Sequence, residues 1–283
     1  NFNTYFIFFG ALAFMHGYAF QWGVLPTEKR LSGKDQSFGA SLIILFLALI
    51  VGIVAGYHAN VKPMKQSKEL IATLQLVRGD APVSVVMPAF AKTFSYDTFG
   101  NRETAEQLAQ YGTRISDMSG VPNDEKRAVL GEVIKRLEHE TQLMPEDIRY
   151  GLFLVSMGYL RAAFFDQQFV PKAEAEFKRI IGLSPTKQQL YVGLAQLYLA
   201  LNDYERAFEV SKAMHEIDVE YPDGALFYVV TAVYSRRLDI AQEFLAKWPE
   251  FRAPPRGVYI ANAYAAIQEF QPMVPLYQDI IKG

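Results

Sequence analysis

The sequence predicts an all-α protein in which a two-helix transmembrane hairpin precedes an α-solenoid of antiparallel helix pairs. Three observations predict this class. Five of the first 60 residues are charged, about 8%, whereas about 24% of the remaining residues are charged. Two long uncharged segments make up most of that first part. Beyond residue 60, apolar residues recur at the spacing of amphipathic helices, and a pattern of large and small residues recurs over about 34 positions.

The two uncharged segments have the length and composition of membrane spans. Tyr5–Phe20 contains 13 apolar residues in 16, and Ser41–Tyr57 contains 14 in 17. A bilayer core about 30 Å thick requires about 20 helical residues. With their flanks, the segments predict helices at about 3–22 and 38–58, joined by a loop at 23–37. A pair of buried soluble helices is the alternative, and a signal peptide is a further one for the first segment.

The orientation of the predicted hairpin depends on few basic residues. The loop carries Lys29, Arg30 and Lys34, and the stretch after the second span carries Lys62, Lys65, Lys68 and Arg78. Because cytoplasmic flanks of membrane spans carry an excess of Lys and Arg, this count favours a cytoplasmic carboxyl-terminal part by a single charge. We therefore expect a multi-pass membrane protein in contact with lipid.

Residues 61–144 predict an irregular helical linker or capping region. Apolar periodicity indicates helices at 61–76, 85–94, 102–115 and 124–140. Asn101 and Asn123 stand directly before two of these helices, where a side-chain oxygen can accept a hydrogen bond from a free backbone N–H. We expect this region to begin the stack of helix pairs.

Residues 145–283 predict repeated helix pairs, of which 188–221 is the most regular. Counted from Gln188, aromatic or apolar residues fall at positions 4, 7, 11 and 17, and alanines fall at 8 and 20. This pattern is typical of 34-residue tetratricopeptide repeats, in which small residues let two helices approach closely. The predicted repeat core consists of Tyr191, Leu194, Ala195, Tyr198, Tyr204 and Ala207.

The neighbouring repeats deviate from this pattern. The preceding one predicts a long first helix at 147–165, with its register displaced near Gln167, and Ser184 is a candidate N-cap for the next repeat. The following one, 222–249, is degenerate. The last begins at Pro254 and stops before its own position 32, so we expect the sequence to be a fragment with a truncated final repeat.

Stacked helix pairs of this kind form a superhelix whose concave face is made by the first helices. In the best repeat, Gln189, Val192, Gln196 and Leu199 would face that groove. We expect a protein or peptide partner to bind there. The alternative is that these side chains only line the groove and contact water.

Composition excludes several other functions. The net charge of −2 argues against nucleic acid as a partner, because phosphate binding requires a clustered basic surface. The chain has no cysteine, which excludes disulfides and thiolate metal sites. The four histidines are scattered, and no phosphate-binding loop or nucleophile motif occurs. We therefore predict no catalytic, cofactor-binding or metal-binding residue in this chain.

Several short segments of the chain resemble sequence motifs of one bacterial family. They are Phe2–Phe14, Asn60–Pro63, Phe94–Asn101, Glu103–Leu108 and Leu183–Gln189. In this order they resemble the last spans and tetratricopeptide tails of O-antigen ligase and polymerase-like membrane proteins. The resemblance implies a bacterial inner-membrane location and an activity that transfers or polymerises a lipid-linked glycan. In that family the catalytic His and Arg lie upstream of these spans, and no position here matches them.

The sequence is therefore compatible with two main functions. The favoured one is the membrane-anchored repeat tail of an O-antigen ligase-like glycosyltransferase, with lipid-linked glycan bound only by the missing upstream part. The alternative is a non-enzymatic, membrane-anchored scaffold for protein assembly. A wholly soluble helical protein is a third and weaker hypothesis.

Overall fold

The structure, a computed structural model, describes the backbone of residues 36–282 and the side chains of residues 46–279. All regular elements in this part are helical, in agreement with the predicted class. The chain divides into two compact units, residues 1–62 and residues 63–283.

The described part of the first unit is one apolar helix. Helix α1, Gln36–Gly56, covers the predicted second span and continues as a π-helical segment, Tyr57–Val61. From Phe46 to Val54 its large apolar side chains are 41–66% exposed. An 18-residue window within Phe46–Arg78 has a mean hydropathy of 1.3 and is 6% buried, which fits a membrane crossing by length and composition. The predicted first span, 3–22, lies outside the described residues, so the two-helix hairpin stays a prediction.

The second unit is a series of six helix pairs in the part of the chain that the structure describes. The first helices of the pairs are α2 (Lys62–Arg78), α4 (Asn101–Asp117), α6 (Ile148–Phe153) with α7 (Leu160–Ala163), α9 (Gln188–Ala200), α11 (Pro222–Tyr234) and α13 (Arg256–Ala266). The second helices are α3 (Val83–Phe94), α5 (Asn123–Leu143), α8 (Phe169–Leu183), α10 (Tyr204–Ile217), α12 (Leu238–Lys247) and α14 (Phe270–Lys282). The region predicted as an irregular linker thus contains two pairs of its own.

The same backbone turn joins the two helices in the last three pairs. Asn202, Arg236 and Gln268 have φ values of 56°, 59° and 63°, in the left-handed region. The N–H of the residue after each of them bonds to the carbonyl five residues back, at 2.9, 2.8 and 2.9 Å. This arrangement closes the carboxyl end of a helix by satisfying carbonyls that have no partner within the helix. The turn therefore recurs with the repeat.

Small buried residues set the close spacing of the helices. Ala207 and Ala241, which are 34 positions apart, are fully buried at the same place in consecutive repeats. Gly193 in α9 lies so close to α8 that a Cβ atom built on it would be 2.6 Å from the ring of Phe177. Gly151 in α6 is equally close to the side chain of Ile180, at 2.5 Å. These positions let the large side chains of neighbouring helices fill the space between them.

The loop Ser95–Gly100, part of one motif that carries the family resemblance, is held by a buried glutamine. Gln66 in α2 is 1% exposed. Its amide donates to Asn101 Oδ1 at 2.7 Å, and its carbonyl oxygen accepts from the hydroxyl of Thr98. A Cβ on Gly100 would lie 3.0 Å from the same carbonyl oxygen. The motif residues Thr98, Gly100 and Asn101 therefore join the first helix pair to the second.

The three predicted N-caps are wrong. Helix α9 begins at Gln188 with Lys187 at its N-cap, so Ser184 does not cap it. Asn101 and Asn123 are the first helical residues rather than caps. The predicted long first helix of the third pair is present, because the chain is helical from Ile148 to Ala163, with a π-helical segment, Leu154–Tyr159, between α6 and α7.

Candidate functional site

The first helices of the last three repeats form a continuous layer in the second unit. Helix α11 contacts both α9 and α13, which are the first helices of the repeats on either side. The second helix α10 packs against its own first helix, α9, and against the next first helix, α11. A layer in which consecutive first helices touch is the inner layer of a helical-repeat superhelix. It presents a continuous surface along α9, α11 and α13, which we call the first-helix face.

The four predicted groove residues all lie on one side of α9. Gln189 and Gln196 are exposed, and Val192 and Leu199 are half-buried. Their spacing of three or four residues places them on the same side of the helix. Leu199 also packs against the hydrophobic core. Their role in binding stays a prediction.

The predicted repeat core divides into two groups. Four of its residues are at most 3% exposed, namely Leu194, Ala195, Tyr198 and Ala207. The other two, Tyr191 and Tyr204, are half-buried and contact a neighbouring loop or repeat. The hydroxyl of Tyr191 donates to the carbonyl of Pro185 at 2.8 Å. The ring of Tyr204 stacks on that of Tyr234 at a centroid distance of 5.2 Å, which joins consecutive repeats.

The face extends over two repeats that the sequence analysis did not include. Leu226 and Val230 in α11 follow Val192 and Gln196 by 34 positions and are half-buried. Val258 in α13 occupies the next equivalent position and is half-buried, and the neighbouring Tyr259 is 59% exposed. Reading the groove positions through every repeat would have found these residues.

Charge is nearly absent from the helices of this face. Helices α9, α11 and α13 contain two charged residues, Asp223 and Arg256, and both lie in a first turn. Charged side chains instead form ion pairs that join consecutive repeats along the turns and second helices. These pairs are Glu174–Arg206 at 3.1 Å, Glu205–Arg237 at 2.6 Å and Arg236–Glu269 at 3.4 Å.

One of these ion pairs belongs to a network around Tyr198. The hydroxyl of Tyr198 donates to Glu174 at 2.9 Å, and Lys178 lies 2.6 Å from the same carboxylate. The guanidinium of Arg206 lies 4.5 Å from the centre of the Tyr198 ring. The hydrogen bonds from Lys178 and Tyr198 lower the pKa of Glu174, although partial burial opposes them. Glu174 therefore stays ionised and ties α8 to α9 and α10.

Burial also affects a histidine near the second-helix layer. His215 stacks on Tyr228 at a centroid distance of 4.8 Å, and its Nδ1 atom is buried without a hydrogen-bond partner. Burial lowers the pKa of His215, and the positive charge of Lys247 lowers it further. Among the described residues, no group of three or more His, Asp or Glu side chains is arranged to hold a metal ion.

Comparison with known proteins identifies the fold. No protein-family model matches the chain, and no curated protein matches it. A tetratricopeptide repeat protein from Parabacteroides merdae is 11% identical over 77% of this chain and 80% of its own, with a TM-score of 0.51. TTC0263, a thermophilic TPR protein of Thermus thermophilus, is 14% identical over 71% of this chain and 97% of its own, with a TM-score of 0.42. The MamA protein is 13% identical over 72% and 97%, with a TM-score of 0.43.

The match with a TM-score above 0.5 shows a helical repeat fold of the tetratricopeptide kind. This confirms the repeats predicted from the spacing of tyrosines and alanines. No match supports a relationship to O-antigen ligases.

Proposed function

We propose that the chain is a membrane-attached scaffold that binds a segment of a partner protein on the first-helix face. The observation that carries this proposal is the continuous, nearly uncharged layer of α9, α11 and α13. Its half-buried valines and leucines recur at equivalent positions, and exposed Gln196 and Asn262 lie among them. Apolar anchors with a few neutral polar groups between them are typical of peptide-binding grooves.

The absence of charge on this face indicates the chemistry of the partner segment. A charged side chain bound there would lose hydration without meeting an opposite charge, which is costly. Apolar side chains would instead be removed from water against Val192, Leu226 and Val258, at about 25 cal/mol per Å² of apolar surface. The partner segment is therefore apolar and uncharged where it contacts the face.

A matched pair of substitutions tests this proposal. Peptides selected from a random displayed library against the full chain in a neutral detergent would be ranked by affinity. Gln196→Lys places a charge on the face, and Gln242→Lys places the same charge on the exposed side of the second helix α12. We expect Gln196→Lys to weaken the selected peptides at least about tenfold, because the charge is desolvated by the bound peptide. Equal effects of the two variants would contradict the proposal.

Attachment to a membrane is supported by the exposure of α1. A core helix of a soluble protein buries its apolar side chains, whereas Leu49 and Ile53 are 56% and 64% exposed. A charged residue at the centre of a membrane helix costs about 2.5–3.5 kcal/mol. We expect Leu49→Asp with Ile53→Asp to raise the fraction of the chain that alkaline pH extracts from membranes, most strongly when the predicted first span, 3–22, is also deleted. Val274→Asp, at an exposed site on α14, is the control and leaves the chain bound.

We further propose that the chain belongs to a longer O-antigen ligase-like protein at the bacterial inner membrane. The order of the motifs from Phe2 to Gln189 supports this proposal. The DNA upstream of the Asn1 codon tests it. Further hydrophobic spans with a long loop containing His and Arg would support it. An initiation codon directly before Asn1 would contradict it and favour the scaffold that has no enzymatic part.

A further inference from the structure

The connection between α12 and α13 interrupts the regular repeat. Helices α8 and α9, and likewise α10 and α11, are joined by four residues, 184–187 and 218–221. The connection from α12 to α13 has eight residues, 248–255, and includes a short 3₁₀ helix, Pro249–Arg252. The second helix before it, α12, is the shortest second helix in the described part, with 10 residues. This added segment encloses space that a regular repeat does not have.

A cavity of about 280 Å³ lies against this connection. Trp248, Glu250 and Phe251 come from the connection, and Arg256 from the start of α13. The opposite wall is made by the loop and first turns that begin the fifth pair, namely Val219, Glu220, Pro222 and Ala225. The cavity thus has an apolar wall and a rim with three charged side chains.

Two of the three charged groups at the rim are carboxylates without a partner. Within the part of the chain that the structure describes, the carboxylates of Glu220 and Glu250 make no ion pair and no hydrogen bond. The guanidinium of Arg256 lies over the ring of Phe251, 4.8 Å from its centre. Lys247 Nζ lies 5.7 Å from the centre of the Trp248 ring. The three charged side chains that line the cavity sum to −1, and Lys247 adds a positive charge beside Trp248. Among the described residues, the two carboxylates are the charged groups at the rim that have no partner.

We propose that this cavity binds the basic side chain of a peptide segment, an arginine or a lysine. The long apolar stem of such a side chain can lie along Trp248 and Val219, because Lys and Arg bury their methylene groups while the charged end stays near polar groups. The cationic end then meets Glu220 and Glu250. The volume of about 280 Å³ accommodates one side chain of this length. The site lies at the amino-terminal ends of α11 and α13, beside the uncharged part of the first-helix face, and does not depend on the function proposed for that face.

Tryptophan fluorescence gives a direct measurement of binding in the full chain. The chain has two tryptophans, so Trp22→Phe leaves Trp248 as the only one. The Trp22→Phe protein in a neutral detergent would be titrated with Nα-acetyl-arginine amide and with the neutral isostere Nα-acetyl-citrulline amide. We expect a saturable change in Trp248 fluorescence with the arginine compound and at least about tenfold weaker binding of the citrulline compound. Equal binding of the two would overturn the proposal.

Charge-neutralising variants separate this site from general attraction to an acidic surface. Removing one unit charge about 5 Å from the ligand in a water-like dielectric changes affinity about fourfold. We therefore expect Glu220→Gln and Glu250→Gln each to weaken binding about fourfold and Arg256→Gln to strengthen it about fourfold. Glu243→Gln, on the exposed side of α12, is the control. The proposal would be overturned if the control Glu243→Gln lost as much affinity as Glu250→Gln. It would also be overturned if Glu220→Gln and Glu250→Gln both left the affinity unchanged.

Discussion

Replacing Gly193, which lies against Phe177, should change the free energy of unfolding through two effects of opposite sign. Gly193 lies within α9, and Phe177 in α8 is 1% exposed. Replacing glycine by alanine inside a helix ordinarily stabilises it by about 1 kcal/mol, because glycine loses more backbone freedom on folding. Here the added methyl group would lie 2.6 Å from the ring atoms Cε1 and Cζ of Phe177. Carbon atoms in contact normally lie about 3.5–4.0 Å apart.

The overlap decides the expected sign. The ring or the helix must move by about 1 Å, and overpacking of a buried site costs about 1–3 kcal/mol. Subtracting the gain in helix propensity leaves a net loss of about 1 kcal/mol for Gly193→Ala. Gly131→Ala in α5 is the control, since nothing lies within 4 Å of its added Cβ and the residue is exposed. That variant gains up to about 1 kcal/mol, so the two should differ by about 2 kcal/mol.

Urea unfolding followed by circular dichroism at 222 nm, in the full chain with mild detergent, measures this difference. Because repeat arrays unfold in parts, each variant is compared with the unsubstituted protein by the midpoint of the transition that includes its own helix pair, at constant slope. Combining Gly193→Ala with Phe177→Leu should recover part of the loss, because a smaller side chain makes room for the methyl group. A midpoint for Gly193→Ala as high as that for Gly131→Ala would refute the packing argument.

Three further predictions follow from burial and backbone geometry. Ala207→Glu should lower the free energy of unfolding by about 3–5 kcal/mol, because it buries an unpaired charge, whereas Ala200→Glu at an exposed site should change it by less than about 0.5 kcal/mol. Gln268→Gly should raise the free energy of unfolding, measured with urea, by about 0.5–1 kcal/mol, because glycine adopts a φ of 63° without strain. His215 has a lowered pKa in the folded state, so below about pH 6.5 the unfolded state binds more protons. Stability should therefore fall as the pH drops from 7.5 to 5.5, and His215→Gln should flatten that dependence in thermal unfolding.

The repeat was predictable because its signal is local and periodic. Ala195 and Ala207 lie at positions 8 and 20 because a close helix pair excludes larger side chains, so residue size alone marks the two helices of a repeat. The groove residues on α9 could be named for the same reason. Extending them to Leu226 requires only the repeat length of 34, and extending them to Val258 requires the start of the last repeat at Pro254, and the sequence contains both.

Predictions of helix ends failed where several residue types satisfy the same backbone position. Ser184 is a good N-cap by composition, yet Lys187 occupies the N-cap position of α9 and contributes no side-chain hydrogen bond. Asn101 is used differently as well, since its side chain accepts a hydrogen bond from Gln66, 35 positions away in the chain. The choice between a local cap and a distant partner depends on which helix packs beside the residue.

The sequence by itself determined the helical class, the apolar character of α1 and the repeated pairs, because each depends on spacings of a few residues or on one period. Only the tertiary structure decided which charges meet and where space is left open. Glu174 and Arg206 pair across 32 positions because consecutive repeats stack in register. The cavity beside Trp248 exists because the longer connection after α12 folds back against the preceding loop. Such contacts depend on the path of the backbone between helices, which no periodic pattern specifies.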